Sequence, residues 1–239
     1  MKYCDLTFPA AEENLACDEA LLDWAEEGAA DEVLRVWEPA RYFVVLGYAN
    51  KVAKEVNTAF CRQNTIPILR RCTGGGTVLQ GPGVLNYSLI LRADADGPLR
   101  SVTAANHSVM ERHRDALLHV LHAPVEIRGH TDLTIGGLKF SGNSQRRRKR
   151  CLLFHGTFLL HFDIDLIEKA LPLPSSEPDY RLGRAHAEFL MNLKIHRDLL
   201  KKSLTKTWKA ESSLREIPYE RIESLVREKY SKEEWTARF

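Results

Sequence analysis

The chain has 239 residues, 44% of them apolar, so it can bury a sizeable core as one domain with room for a small extra element. Its formal charge of +2 is too small to argue for nucleic acid, and no apolar run approaches the roughly 20 residues of a membrane-spanning helix. The start of the chain lacks a basic-then-apolar signal segment. The five cysteines (Cys4, Cys17, Cys61, Cys72, Cys151) are scattered without a CxxC pair, which indicates neither a zinc ribbon nor a disulfide framework and leads us to expect a reduced, cytoplasmic setting.

In chain order, Cys17, Ala20, Leu21 and Trp24 share a stripe that predicts a helix over about 14–24. Two β-like runs follow, 33–37 and 43–46, the second closed by Gly47. A short helix is expected at 53–63, a strand at 66–69 entering a glycine-rich loop, and an alternating strand at 84–91. Ser101 suits an N-cap for a helix whose apolar face carries Val102, Ala105, Val109, Ala116, Leu117 and Val120. Strand-like pieces at 125–127 and 131–135 precede two longer runs, 138–144 and 151–162. These flank the basic stretch Arg146-Arg147-Arg148-Lys149-Arg150.

Alternation in the second run puts Leu152, Phe154, Phe158, Leu160 and Phe162 on one face, with His155, Thr157 and His161 opposite. In the first, Lys139, Ser141 and Asn143 share a face, with Leu138 and Phe140 on the other. If the basic stretch turns the chain, a hairpin pairing Lys139 with Thr157 and Ser141 with His155 would gather one polar surface. Sequence does not fix that register. Beyond Asp163 the pattern is charged and helical, broken at Pro172, Pro174 and Pro178, with helices expected over 192–209 and 218–229. Strands mixed with helices, then helices alone, indicate an α+β fold: a mixed β-sheet flanked by helices.

Two segments carry chemistry. The first is Arg70-Arg71-Cys72-Thr73-Gly74-Gly75-Gly76-Thr77-Val78-Leu79, where glycines let backbone amides approach an anion and the arginines can fork onto a carboxylate or phosphate. It is neither a P-loop nor a GxGxxG fingerprint, and a plain hairpin turn is the alternative. The second is Thr131-Asp132 followed by Gly136-Gly137-Leu138-Lys139-Phe140-Ser141-Gly142-Asn143. Lys139 can serve as a cation for a phosphate or developing oxyanion, and Asp132 can hold a magnesium ion or a purine amino group. A solvated strand lysine and a turn-forming aspartate are the alternatives.

Together the segments resemble the lipoate–protein ligase A family, within the biotin/lipoate ligase-type catalytic superfamily. The RRxSGGG-type loop stands as Arg70–Gly76, the GRKxSG-type segment as Gly137–Gly142, and the HHGTLL-type strand as Phe154–Leu159. The resemblance implies a biotin/lipoate ligase-like catalytic domain over 1–195, with 196–239 a helical extension of it. It implies ATP, Mg2+ and lipoate or octanoate as reactants, an acyl-adenylate intermediate, and a lysine of a lipoyl-domain protein as acceptor. Lys139 would contact the acyl carbonyl and α-phosphate, while Arg70, Arg71, Gly75, Gly76, Thr77, Val78, Leu79 and Asp132 would bind ATP or the adenylate. Asp132 is the one candidate metal ligand.

The chain departs from the pattern at Gln80-Gly81, where many members have His-Asp, at Leu138 in place of the motif arginine, and at Phe154 in place of the first histidine. From the resemblance we expect the accessory domain of larger ligases to be incomplete here and a separate accessory protein to be a candidate partner. The alternatives are octanoyl or lipoyl transfer without ATP, which relatives perform through a cysteine that has no counterpart here, and nucleic-acid binding through 146–150. Neither a membrane nor a nucleic acid is expected as a partner.

Overall fold

The computed structural model describes residues 1–93 and 95–239. Its largest element is an eight-stranded mixed sheet in the order β11-β1-β2-β6-β10-β9-β8-β7. The strands are β1 (Lys2–Asp5), β2 (Val33–Trp37), β6 (Val84–Arg92), β7 (Val125–Arg128), β8 (Asp132–Ile135), β9 (Leu138–Arg147), β10 (Cys151–Leu159) and β11 (Ser212–Ser213). A three-stranded sheet, β4-β3-β5, combines β3 (Phe43–Leu46), β4 (Ile68–Arg70) and β5 (Val78–Gln80). The glycine-rich loop runs from β4 to β5.

The central strands are apolar on both faces because both are covered. One face carries Leu34, Val36, Tyr87, Leu89, Leu152, Phe154 and Phe158 under α4 (Val102–Leu121) and α7 (Arg197–Thr207). The other carries Val33, Trp37, Ile90 and Leu153 under α1 (Ala11–Glu26), with Ile222 of α8 (Tyr219–Leu225) in the same cluster. A third cluster joins the small sheet to α3 (Thr58–Gln63) and α5 (Ile164–Ala170). The later segments are part of this packing. Leu200, Leu204 and Trp208 enter the first core, and β11 pairs in parallel with β1.

The mixed sheet flanked by helices is the expected α+β architecture. The strands at 33–37 and 43–46 stand where the β-like runs put them. Ser101 caps α4 by accepting from the Ala104 amide. The expected helix at 53–63 is two, α2 (Val52–Glu55) and α3, with the Asn57 side chain capping the second. Val102 is 52% exposed, and Met110 and His113 join the buried face of α4 instead. Helical phase identifies a stripe, but not how far along it the partner surface extends.

The β9–β10 hairpin forms in a register other than the one that would pair Lys139 with Thr157. Thr157 stands opposite Gly142 and His155 opposite Ser144. The reason is the turn. Arg146 and Arg147 stay in the ladder, so only Arg148–Arg150 reverse the chain. That turn is sewn to the end of α1. Arg148 lies 2.6 Å from Asp23 Oδ1, and the amides of Lys149, Arg150 and Cys151 donate to the Glu26 carboxylate. Within the basic stretch, Arg148 is therefore the side chain paired with acidic residues of its own molecule among the described residues.

Candidate active site

Lys139 reaches the site through an irregularity in the sheet. β8 and β9 pair Leu133 with Ser141 but Thr134 with Lys139, so one step on β8 matches two on β9. Such a bulge re-aims the residues beside it. Phe140 is fully buried in the first core, and Lys139 leaves the face of Ser141 and Asn143, correcting the simple alternation. Its ammonium lies 2.8 Å from Asp132 Oδ1. A Cβ on Gly142 would stand 2.9 Å from both Cε and Nζ, so the lysine crosses the strand over a glycine because nothing larger leaves room.

Asp132 is doubly held. The Tyr180 hydroxyl donates to its Oδ2 at 2.8 Å, and burial beside that carboxylate raises the phenol further, keeping it a donor. Tyr180 sits on a short 3-10 turn, Asp179–Arg181, anchored to β9. Arg184 donates to Gly137 O, and the Met191 amide donates to Lys139 O. Nothing in the sequence spacing links Tyr180 to a residue 48 positions earlier.

The two loop arginines face different ways. Arg70, fully buried, gives its donors to carbonyls: Nε and Nη2 to Trp235 and Thr236, Nη1 to Gly47 and Tyr48. It holds the segment containing α9 (Glu233–Thr236) against β4, and all of these donors point at the backbone. Arg71 folds the glycine loop around itself, donating to Thr73 Oγ1, to Gly74 O at 2.5 Å and to Gly76 O at 2.8 Å. Burial pushes it down to about 10, so it remains a cation at neutral pH, and no carboxylate among the described residues pairs with it.

Pulling those carbonyls inward has a consequence for the amides. Among the described residues, the N–H groups of Gly74, Gly75 and Gly76 donate to no protein backbone or side-chain acceptor, and all three glycines are exposed. Gly75 has φ +83°, where a side chain would be strained, and a Cβ there would stand 3.0 Å from Arg71 Nη2. Free amides over a buried cation form a cradle for an anion such as a phosphate. Ser144 fixes the cradle to the sheet by donating to Gly74 O. Ser144 lies two residues along β9 from Gly142, so loop and lysine are separated by about 7 Å of strand.

Beyond the loop, Thr77 keeps a buried hydroxyl without a partner among the described residues. Val78 packs against the second core and Leu79 into the third. Gln80, at the departure from His-Asp, forms a reciprocal amide pair with Asn86 at 2.8 and 3.0 Å. Asp132, with both oxygens engaged by Lys139 and Tyr180, does not fit a magnesium ion as it stands. No group of three metal-capable side chains occurs among the described residues.

A buried polar chain meets the loop from below. Thr73 Oγ1 lies 2.7 Å from His155 Nε2, and His155 Nδ1 lies 3.3 Å from Asp18 Oδ2. Asp18 receives Ser88 Oγ at 2.7 Å and Arg35 Nη1 at 2.6 Å. Burial alone would raise the Asp18 carboxyl, but the Arg35 guanidinium and the bonds from His155 and Ser88 hold it below the usual range. Sequence reading left His155 without a chemical role and did not single out Asp18. A signal was present: Asn14 and Asp18 are polar residues four apart on the buried stripe of α1.

All five cysteines are buried and free. Burial pushes Cys4 up to about 11, Cys17 and Cys72 up to about 12, and also raises Cys61 and Cys151. Cys72, in the glycine loop by sequence, packs in the second core. None is an activated thiol.

With a strand lysine set beside a glycine-rich anion cradle, comparison with known proteins is decisive. A model of the lipoyl protein ligase A/B catalytic domain matches residues 10–213. The chain belongs to that family. It is 26% identical to octanoyltransferase LipM of Halalkalibacterium halodurans, with 94% of each chain covered. It is 27% identical to lipoate-protein ligase A subunit 1 of Thermoplasma acidophilum, over 93% of this chain and 90% of the relative. A crystal structure of lipoate-protein ligase A bound with ATP superposes with TM-score 0.84 at 24% identity, covering 99% and 98% of the two chains; that likeness establishes the fold. The protein is therefore an enzyme of the lipoate ligase and octanoyltransferase family. No helix among the described residues is long and apolar enough to cross a membrane.

Proposed function

We propose that the chain is an ATP-dependent lipoate–protein ligase, activating lipoate or octanoate as the acyl-adenylate and transferring it to a lysine of a lipoyl domain. The observation that carries this reading is the state of the thiols. A transferase working through a thioester needs a reactive cysteine, and every cysteine here is buried with its thiol raised. ATP removes that requirement, because an acyl phosphate is activated without a protein nucleophile.

In this reading the free amides of Gly74–Gly76 and the Arg71 charge beneath them receive phosphate oxygens. Gly75, Gly76, Thr77, Val78 and Leu79 line the adenylate, with the Thr77 hydroxyl free to donate. Lys139 swings from Asp132 onto the carbonyl oxygen and α-phosphate, where negative charge builds in both half-reactions. Asp132 and Tyr180 hold the lysine until then. Arg70 contributes by fixing β4, and no step is assigned to a metal ion.

The relative named as a ligase subunit gives grounds for a separate accessory protein here, and a solved bi-partite ligase of Thermoplasma acidophilum described with its E2 lipoyl domain supports a lipoyl-domain protein as acceptor. Octanoyl transfer without ATP remains the second reading, favoured by the matching length of the LipM relative. One experiment separates them. Purified protein is given free lipoate, ATP and a lipoyl domain, and acceptor mass and AMP are followed. Lipoylation with stoichiometric AMP is expected; acyl transfer from an acyl-protein donor without AMP would overturn the ligase reading.

A further inference from the structure

Lys139 and the glycine loop address activation of the carboxylate, but acyl transfer makes a separate demand. A lysine amine, with an ordinary pKa near 10.4, is deprotonated in only about one molecule in 2,500 at neutral pH. Efficient attack therefore calls for a proton acceptor beside the acyl carbon.

The chain from Arg35 to Thr73 ends on the right face. Asp18 and Arg35 are closed to solvent, at 3% and 0% side-chain exposure, whereas His155 is 15% exposed and is the first member that solvent reaches. Ionised Asp18 accepts from Nδ1–H, which leaves Nε2 to accept the Thr73 hydroxyl. Thr73 Oγ1 takes Arg71 Nε–H on one lone pair and keeps the other free. His155 is two residues along β10 from Thr157, the partner of Gly142, over which Lys139 lies. Such a diagonal sets the two residues about 7–8 Å apart on one face of the sheet, so His155 and the Lys139 ammonium border the same patch. The groups facing His155 are Asp18 from α1, Arg35 from β2 acting through Asp18, Ser88 from β6, Ser144 from β9, and Thr73 with Arg71 from the loop.

We propose that Asp18, His155 and Thr73 form a proton relay that deprotonates the acceptor lysine for acyl transfer, an inference that rests on the ligase reading. The ammonium donates to the free lone pair of Thr73 Oγ1. Thr73 passes its own proton to His155 Nε2 as it takes the ammonium's, and Asp18 holds the imidazolium. The amine nitrogen then bonds to the carbonyl carbon, the carbon–oxygen bond to the phosphate breaks, and AMP leaves with the electron pair. The nitrogen's second proton goes to water, and His155 later returns its own to water. Thr73 is 1% exposed, so the relay requires the arriving lysine to reach it at the edge of the loop while the Gly74–Gly76 amides stay on the phosphate. Asp18 and Thr73 act here as positioning and relay groups, and His155 as the base.

The test uses chemically prepared lipoyl-adenylate and a lipoyl domain in single turnover, with His155→Gln, Thr73→Val and Thr73→Ser checked for folding by thermal melting. Transfer should fall about 100-fold in His155→Gln and Thr73→Val at neutral pH, far more than adenylate formation does, and Thr73→Ser should restore it. Because raising the pH frees the amine, that deficit should narrow to a few-fold at about pH 9.5. Equal losses in both half-reactions at every pH, or wild-type transfer in His155→Gln, would overturn the relay. If the wild-type chain forms no AMP from ATP and lipoate, the ligase reading fails instead, while the supplied adenylate still tests the relay.

Discussion

The Lys139 ammonium rests over Gly142, 2.9 Å from where a Cβ on that residue would stand. Gly142→Ala should therefore push the lysine off its perch with little effect on stability, because the displaced group is the end of a flexible side chain. Lys139→Ala removes the cation altogether and should slow adenylate formation by roughly 10²–10³-fold. Gly142→Ala should fall between that variant and wild type, with a melting temperature close to wild type. Adenylate formation by pyrophosphate release, read beside a thermal melt, checks both; a normal rate in Lys139→Ala would remove the lysine from the mechanism.

The adjacent arginines should separate. Arg70→Met leaves the carbonyls of Gly47, Tyr48, Trp235 and Thr236 without their donor. The expected cost is about 3 kcal/mol of stability, with faster amide exchange over 233–239. Arg71→Met releases the glycine loop and should chiefly raise KM for ATP. Urea melts and exchange mass spectrometry, set against ATP titrations, distinguish the two; an unchanged KM in Arg71→Met would sink its assignment.

His113 gives the fold an acid-side weakness. It is fully buried among Tyr87, Phe158 and Trp208, accepts from Trp208 Nε1 at 2.8 Å, and is pushed down to about 3, chiefly by burial and also by Arg112. The unfolded chain protonates this residue near pH 6.5 and the folded chain does not. Its contribution is thus intact above about pH 6.5 and is lost progressively as pH falls toward 3, by a few kcal/mol in all. His113→Gln keeps an acceptor for Trp208 and should flatten that part of the stability profile. Urea midpoints from pH 7 to pH 4 would show it, and parallel profiles for the two proteins would refute it.

Replacing all five cysteines by alanine or serine should leave ATP-dependent lipoylation in place, with some loss of stability from the small cavities created. The buried thiols of wild type should also react slowly with iodoacetamide. Loss of activity in a folded cysteine-free chain, rescued by restoring Cys72 alone, would favour the thioester mechanism.

What the sequence determined by itself was local. β-like runs marked the strands at 33–37 and 43–46, Ser101 marked the start of α4, and the loop and lysine segments were visible as motifs that pointed to the family. These follow from residue spacing and turn chemistry within a few positions. The tertiary structure decided the rest. Whether Lys139 faces Asp132 or the core depends on a bulge between β8 and β9, and one inserted residue reverses a side chain without changing composition. Arg70 and Arg71 are alike in sequence, yet one meets carbonyls 165 residues away while the other curls onto its own loop. Asp18, Thr73, His155 and Tyr180 found their partners only when strands distant in the chain were paired, because a hydrogen bond depends on positions in space that no short-range pattern encodes.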